Sequence, residues 1–387
     1  MGVYSEYLAM NLNWPSLEEE RKKQLLRIGR LRGGRDVLAF ASAMTGPPGI
    51  SIVYEDREAM FDLLSDLKGE EIDVLLETPG GSAEVVQDMV VELRRRFTKV
   101  GMIVPGWAKS AGTIMVMAGD EILMGPNSAV GPIDAQIQVG NMRFSAHEFL
   151  EGFEKIKKGV EKNKGKLNLA YVPILQNVSP GEIERCENLK EFSKGLVTTW
   201  LSQYKFKFWE KHSGSGAAVT EEEKKKRAEE IAEELGNRKK WRTHGQSIYI
   251  SDLHDMGLKI TDFSDNTDLY DAILRYSVLL KMSFETTNII KILETPYSQF
   301  YRHSAPRMGV TTPKKGDIAE VEIECPHCKN RAKIQANFRK GIPLIEGAMP
   351  FPKDDVFVCP NCNKSTNINS IKRHIESDTK RKVILEG

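Results

Sequence analysis

Ser110 sits in a run of small residues, Ala108-Lys109-Ser110-Ala111-Gly112, which opens a stretch of apolar residues at helical spacing. Upstream, an apolar strand over residues 72–76 runs into Pro79-Gly80-Gly81, and a helix and a second strand over 100–104 separate the two motifs. A glycine pair after a strand presents backbone N–H groups with no side chain in the way. A serine at the mouth of a helix adds another such donor beside a candidate nucleophile. Gly80 or Gly81, together with the N–H of Ala111, could therefore receive a tetrahedral oxyanion formed by attack of Ser110. The chemistry this suggests is acyl transfer to water, with peptide hydrolysis the leading case.

A second constellation lies near the other end. Cys325-Pro-His-Cys328 and Cys359-Pro-Asn-Cys362 are two C-x-x-C units with thirty residues between them. Two such knuckles can bring four thiolates into a tetrahedron around Zn²⁺, the zinc-ribbon arrangement, which leaves no open position for water and so implies a structural metal. Val321-Glu322-Ile323 and Val356-Phe357-Val358 read as the strands leading into each knuckle. His327 competes as a ligand, but Cys328 has the better spacing. From Ala319 to Gly387 there are 12 Lys and Arg against 9 Asp and Glu, a difference of +3. That is a weak basic balance with few aromatics, so a protein substrate or partner is at least as well suited to the ribbon as nucleic acid. The fifth cysteine, Cys186, falls in a helical stretch among polar residues and reads as an ordinary unpaired thiol.

The serine motif and the glycine turn resemble the Clp-protease/crotonase superfamily. Gly131-Pro132-Ile133-Asp134-Ala135-Gln136 narrows the likeness to the serine dehydrogenase proteinase family, a Clp-fold group related to the signal peptide peptidase A type. The resemblance covers about residues 37–260 and is specific at those three motifs. It implies a layered α/β fold with mainly parallel strands, peptidase activity and a homo-oligomer. It also implies a triad in the order Ser, Asp, His: Ser110 as nucleophile, Asp134 as the orienting carboxylate, and His244 as the base. The histidine that Clp peptidases carry about 25 residues after the serine is missing here, and residues 132–136 contain none. His147 is a rival base, and His254, within a helix, a weaker one. The signal peptide peptidase relatives use a Ser–Lys dyad instead, for which Lys155, Lys158, Lys162, Lys164 and Lys166 fall near the required range. Lys109, next to the nucleophile, is expected to face outward. Two other classes stay open: a non-catalytic Clp-fold platform whose ribbon binds protein or nucleic acid, and a crotonase-type enzyme acting on an acyl-coenzyme A.

The elements that must position these residues follow from 387 residues with 40% hydrophobic and 28% charged content, a globular composition with a formal net charge of +1. Residues 1–34 read as an N-terminal helical segment, with Ser16 as the N-cap of a helix that Gly33-Gly34 stops. Residues 35–301 read as the Clp-type domain with a helical extension. Within it, strands over 37–41, 50–53, 72–76, 100–104 and 121–124 alternate with helices over 56–67, 83–97 and 111–118. The extension carries helices over 146–162, 180–209 and 220–235, the last opened by a Thr220/Glu223 capping box, then a short strand and a helix stopping at Gly257. Helix is expected to continue over 267–282 and 285–293. The Pro-, Gly- and Lys-rich stretch 302–317 reads as a linker, and 318–387 as the zinc ribbon and tail. No apolar run reaches the roughly 18 residues of a membrane span. With no secretory signal pattern at the N-terminus, a cytoplasmic protein is expected. No phosphate-binding G-x-x-x-x-G-K-[ST] loop is present, so an unfolding motor would have to be a separate chain.

Overall fold

The structure, a computed structural model, describes residues 2–46, 49–139, 142–176, 178–212, 214–304, 316–379 and 381–385. It divides into two compact units, Met1–His303 and Ser304–Gly387. Most of the expected linker falls on residues 305–315, outside the described residues.

The first unit opens with α1 (Val3–Met10) and α2 (Trp14–Leu31), then β1 (Asp36–Ser42), α3 (Tyr54–Ser65), β2 (Glu71–Glu77), α4 (Ala83–Arg96), β3 (Lys99–Val104) and β4 (Trp107–Ala108). Next come α5 (Ala111–Val116), β5 (Glu121–Met124), β6 (Ala129–Val130), and a small hairpin of β7 (Gln136–Val139) and β8 (Met142–Ser145). The extension consists of α6 (Ala146–Lys162), the short α7 (Val172–Leu175), α8 (Pro180–Trp200), α9 (Glu221–Leu235) and α10 (Ile250–Asp255). Then β9 (Thr261–Asp262), α11 (Thr267–Thr286), β10 (Ile289–Glu294) and β11 (Gln299–His303) close the unit.

Seven strands form one sheet in the order β11-β10-β1-β2-β3-β5-β9. The five from β1 to β9 are parallel, and β10 and β11 extend the β1 edge antiparallel. Because strand side chains alternate, Leu38, Phe40, Val74, Leu76, Met102 and Val104 pack on one face into the core shared with α3, α4 and α5. Val37, Ala39, Ala41, Leu75, Ile103 and Leu123 pack on the other with α2 and α11. Both faces are covered, as a parallel sheet requires.

Several elements differ from the sequence expectation. Asn13, not Ser16, caps α2, its Oδ1 accepting from Ser16 N at 3.0 Å. The strand expected over 50–53 reduces to a single bridge between Ile52 and Gly81, because α3 already starts at Tyr54. The α-helix expected over 180–209 stops at Trp200 and continues as one wide turn over Leu201–Lys205. Of the helix expected over 285–293, only Glu285 and Thr286 are helical, as the end of α11. The chain becomes extended at Thr287, and Ile289–Glu294 forms β10, a β-branched run buried along its whole length. Cys186 is buried rather than on a polar face. The capping box at Thr220 and Glu223 is present, and α10 is followed by Gly257 at φ +78°, the left-handed stop a glycine supplies.

In the second unit β12 (Ile318–Glu324), β13 (Arg331–Asn337) and β14 (Ala348–Pro350) form one sheet, and β15 (Val356–Val358) and β16 (Ser365–Asn367) another. The helix α12 (Asn369–Thr379) adds Ile371 and Ile375 to a core that also contains Val321, Ile323, Phe357 and the cysteines.

Candidate active site and candidate metal centre

Ser110 stands between β4 and α5 with φ +53° and ψ −118°, a conformation that only glycine adopts without cost. The turn is held by Lys109 N donating to Thr78 O at 2.9 Å and Gly112 N to Lys109 O at 2.8 Å. Thr113 Oγ1, one turn into α5, donates to Ala108 O at 2.8 Å and accepts from Gly131 N at 2.9 Å. Ser110 Oγ makes no capping bond to the helix it opens. A sharp strand-to-helix turn of this kind lifts a serine hydroxyl clear of the backbone.

Gly80 lies directly against this turn. A Cβ on it would come within 2.7 Å of both Lys109 O and Ser110 Cβ and 3.2 Å from Ala111 N, so no larger residue fits. Gly80 N is taken up by Thr78 Oγ1 at 3.1 Å. Ile52 N bonds Gly80 O and Ser82 N bonds Ile52 O, which turns the N–H of Gly81 away from Ile52. Among the described residues neither Gly81 N nor Ala111 N has a backbone acceptor. The two sequence-selected glycines therefore divide the work: Gly80 supplies closeness and Gly81 a free donor.

Asp134 and His244, 110 residues apart, meet. His244 Nδ1 and Asp134 Oδ1 are 2.8 Å apart, with the Asp134 side chain 1% exposed and that of His244 25%. Gln136 Nε2 donates to Asp134 Oδ2 at 3.0 Å, and Arg238 Nη1 lies 3.5 Å from the same oxygen. Arg238 also pairs with Glu148. His147 lies in the first turn of α6 and lines a cavity of about 230 Å³ with Ile133, Asp134, Ala232 and Asn237. Among the described residues its ring makes no bond to Asp134, whose imidazole partner is His244. His254 is engaged with Ile260 at the end of α10. Lys155, Lys158, Lys162, Lys164 and Lys166 are all exposed, without the desolvation a lysine base needs.

Lys109 corrects the sequence expectation, for it points inward. Its Nζ donates to Val130 O at 2.9 Å, Ser247 Oγ at 3.0 Å and Gln246 O at 3.2 Å. Burial pushes the ammonium down to about 8. A Cβ on Gly131 would press on Lys109 Cδ at 2.8 Å, which accounts for the glycine of the Gly131–Gln136 motif. Lys109 thus joins the Ser110 turn to the strand leading to Asp134 and to the loop carrying His244. Among the described residues no hydrogen bond joins Ser110 Oγ to His244. Lysine beside a serine reads from sequence as a solvated side chain. Only its three distant acceptors reveal otherwise.

In the second unit the ligand atoms of Cys325, Cys328, Cys359 and Cys362 lie within 4.8 Å of one another and could hold a metal ion. The Sγ pairs Cys325–Cys362 and Cys328–Cys359 are each 3.6 Å apart. A tetrahedron with metal–sulfur bonds of about 2.3 Å has S···S edges of about 3.8 Å, so the thiols already stand near coordination spacing. Lys329 and Asn363, each one residue past the second cysteine of a knuckle, have φ +62° and +56°. Their left-handed turns let Cys325 N bond Asn330 O and Cys359 N bond Lys364 O.

The mainly parallel sheet with its serine elbow and glycine turn is consistent with a ClpP-like fold. Residues 17–178 match the model of the ClpP-like SDH-type serine proteinase family. That stretch contains Gly80, Gly81, Ser110, Ala111 and Asp134 and ends before His244. The chain is similar to the uncharacterised protein MJ1495 of Methanocaldococcus jannaschii, 28% identical over 170 residues, 40% of this chain and 54% of that protein. It is also similar to uncharacterised MJ0137 of the same organism, 32% identical over 87 residues, 22% of this chain and 30% of the relative. It therefore spans about half the length of the first relative and under a third of the second. Among solved structures, a mutant of the 1510-N membrane-bound stomatin-specific protease aligns over 57% of this chain and 79% of its own, at 14% identity and a TM-score of 0.33. No helix among the described residues is long and apolar enough to cross a membrane.

Proposed function

We propose that this chain is a serine peptidase working through a Ser110–His244–Asp134 triad. The observation that carries the reading is the 2.8 Å bond between His244 Nδ1 and the buried Asp134 carboxylate, on a loop that Lys109 fastens to the serine turn. Asp134 fixes the tautomer with the proton on Nδ1, which leaves Nε2 as the base. Ser110 Oγ attacks the scissile carbonyl carbon and its proton passes to Nε2. The carbonyl oxygen becomes an oxyanion held by the N–H groups of Gly81 and Ala111. The C–N bond then breaks as the amine takes the proton from His244, leaving an acyl-serine. Water, deprotonated by His244, releases the acid and restores Ser110.

Cys325, Cys328, Cys359 and Cys362 hold one Zn²⁺ in this reading. Bound there, the ion supplies no catalytic step but cross-links two knuckles of a small unit, and the unit recruits a protein substrate or partner. The setting is a reducing cytoplasm, where paired C-x-x-C thiols persist as ligands, and the working form is a homo-oligomer. A serine-directed fluorophosphonate probe tests the central claim. Labelling of the wild type that vanishes in Ser110→Ala supports the peptidase. No labelling of assembled wild type replaces it with a non-catalytic platform. Labelling that survives His244→Ala but is lost on substituting a lysine in 155–166 replaces the triad with a dyad.

A further inference from the structure

On the α11 side of the sheet, at the carboxyl ends of β1, β2 and β3, lies a second cavity of about 550 Å³. Ligands of open parallel sheets are bound in that position. Its walls mix apolar and polar groups: Met44, Leu280 and Phe284, with Ser42, Thr45 and Asn127. Glu77, the last residue of β2, faces it. A Cβ on Gly106 would lie 3.0 Å from Glu77 Oε1, so the carboxyl rests against bare backbone. Among the described residues no donor or cation is bonded to it, and burial alone raises it to about 7. The other charged groups lining the cavity are Lys281 and Glu285 of α11, which pair with each other at 3.8 Å. Tyr4 OH adds a 2.6 Å bond to Glu285. The uncompensated charge of the cavity is therefore that of Glu77.

Trp107 forms another wall and is 46% exposed. Only Ala108 and Lys109 separate it from Ser110, so their Cα atoms are at most about 11 Å apart. A bound peptide covers that distance in about three residues, and fewer when a long side chain makes part of the reach. An aromatic face beside an unpaired carboxylate is the chemistry that receives a cation carried on an apolar stem.

We propose that this cavity is a substrate subsite for the side chain of a lysine or arginine, with Glu77 binding the cationic head and Trp107, Met44 and Phe284 the stem. The proposal rests on the peptidase reading for what the subsite serves, but the binding itself does not need catalysis. Agmatine, a guanidinium on a butyl stem, isolates the binding event and is titrated calorimetrically into the full-length protein. Binding should be measurable in wild type and Ser110→Ala alike, and at least tenfold weaker in Glu77→Gln. That change is isosteric and removes a desolvated carboxyl that no bond supports, so the variant should fold at least as well as wild type. Equal binding to wild type and Glu77→Gln, or none to either, overturns the subsite. Peptidyl phosphonates differing only in lysine against norleucine then place the subsite relative to Ser110. Wild type should favour the lysine probe at least tenfold and Glu77→Gln should lose that preference, while a plain alkyl fluorophosphonate labels both equally. Loss of plain fluorophosphonate labelling with agmatine binding intact would sink the peptidase reading and leave the cation site standing.

Discussion

Ser110 is held at φ +53° and ψ −118°, and the cost of that conformation can be measured by removing its Cβ. A non-glycine residue in such a region carries about 1–3 kcal/mol of backbone strain. Glycine relieves it but adds conformational freedom to the unfolded chain worth about 0.5–1 kcal/mol. The difference predicts that Ser110→Gly stabilises the first unit by about 1 kcal/mol. Ser110→Ala keeps the Cβ and therefore the strain. It also loses no capping bond, because Ser110 Oγ makes none, so it should match wild type. The Gly–Ala difference thus isolates strain from chemistry, since both variants lack the nucleophile and neither should react with a fluorophosphonate. Equilibrium urea unfolding of the two variants provides the assay. With an m-value of about 3 kcal/mol per molar, the midpoint of Ser110→Gly should lie about 0.3 M above that of Ser110→Ala. A Ser110→Gly midpoint at or below that of Ser110→Ala would refute the strained-turn argument. Stability held back at one residue is what a site selected for reactivity should show.

Other outcomes test the surrounding residues. Asp134→Asn should lower fluorophosphonate reactivity about 10⁴-fold, because an amide can impose the wrong histidine tautomer. A fall of less than tenfold would remove Asp134 from the triad. Lys109 has its folded-state value lowered from 10.5 to about 8, so between those values the unfolded chain binds more protons and stability must rise with pH. The rise is on the order of 3 kcal/mol at most. Unfolding at pH 8 and pH 10 should show it in wild type and not in Lys109→Met, and identical slopes would contradict the assignment. Purified protein should carry one zinc per chain by elemental analysis, and Cys359→Ser should lose it and unfold the second unit while the first keeps its probe reactivity. A disulfide within either knuckle would argue against the metal site.

The parts of the site legible in the sequence are those whose chemistry is local. Pro79-Gly80-Gly81 and the small residues around Ser110 signal a close backbone approach, because only glycine and alanine leave the room it needs. The four cysteines carry their own spacing rule. The family resemblance selected Asp134 at residues 131–136 and His244 at residues 242–246, and the two are in contact. What tertiary structure decided is the set of interactions made across long separations. Lys109 is turned inward by acceptors 21 to 138 residues away, which no local pattern encodes. Arg238 reaches Asp134 from beyond α9. Residues 285–293 read as helix from their neighbours in α11, yet β1 offers an unpaired edge, and pairing along it makes Ile289–Glu294 a strand. Glu77 is one of many acids by sequence. Only the folding of three strand ends and α11 around it leaves its carboxyl without a partner among the described residues. Residue type and spacing fix which groups can react, whereas burial and the identity of distant partners fix their protonation and aim, and those exist only once the chain has folded.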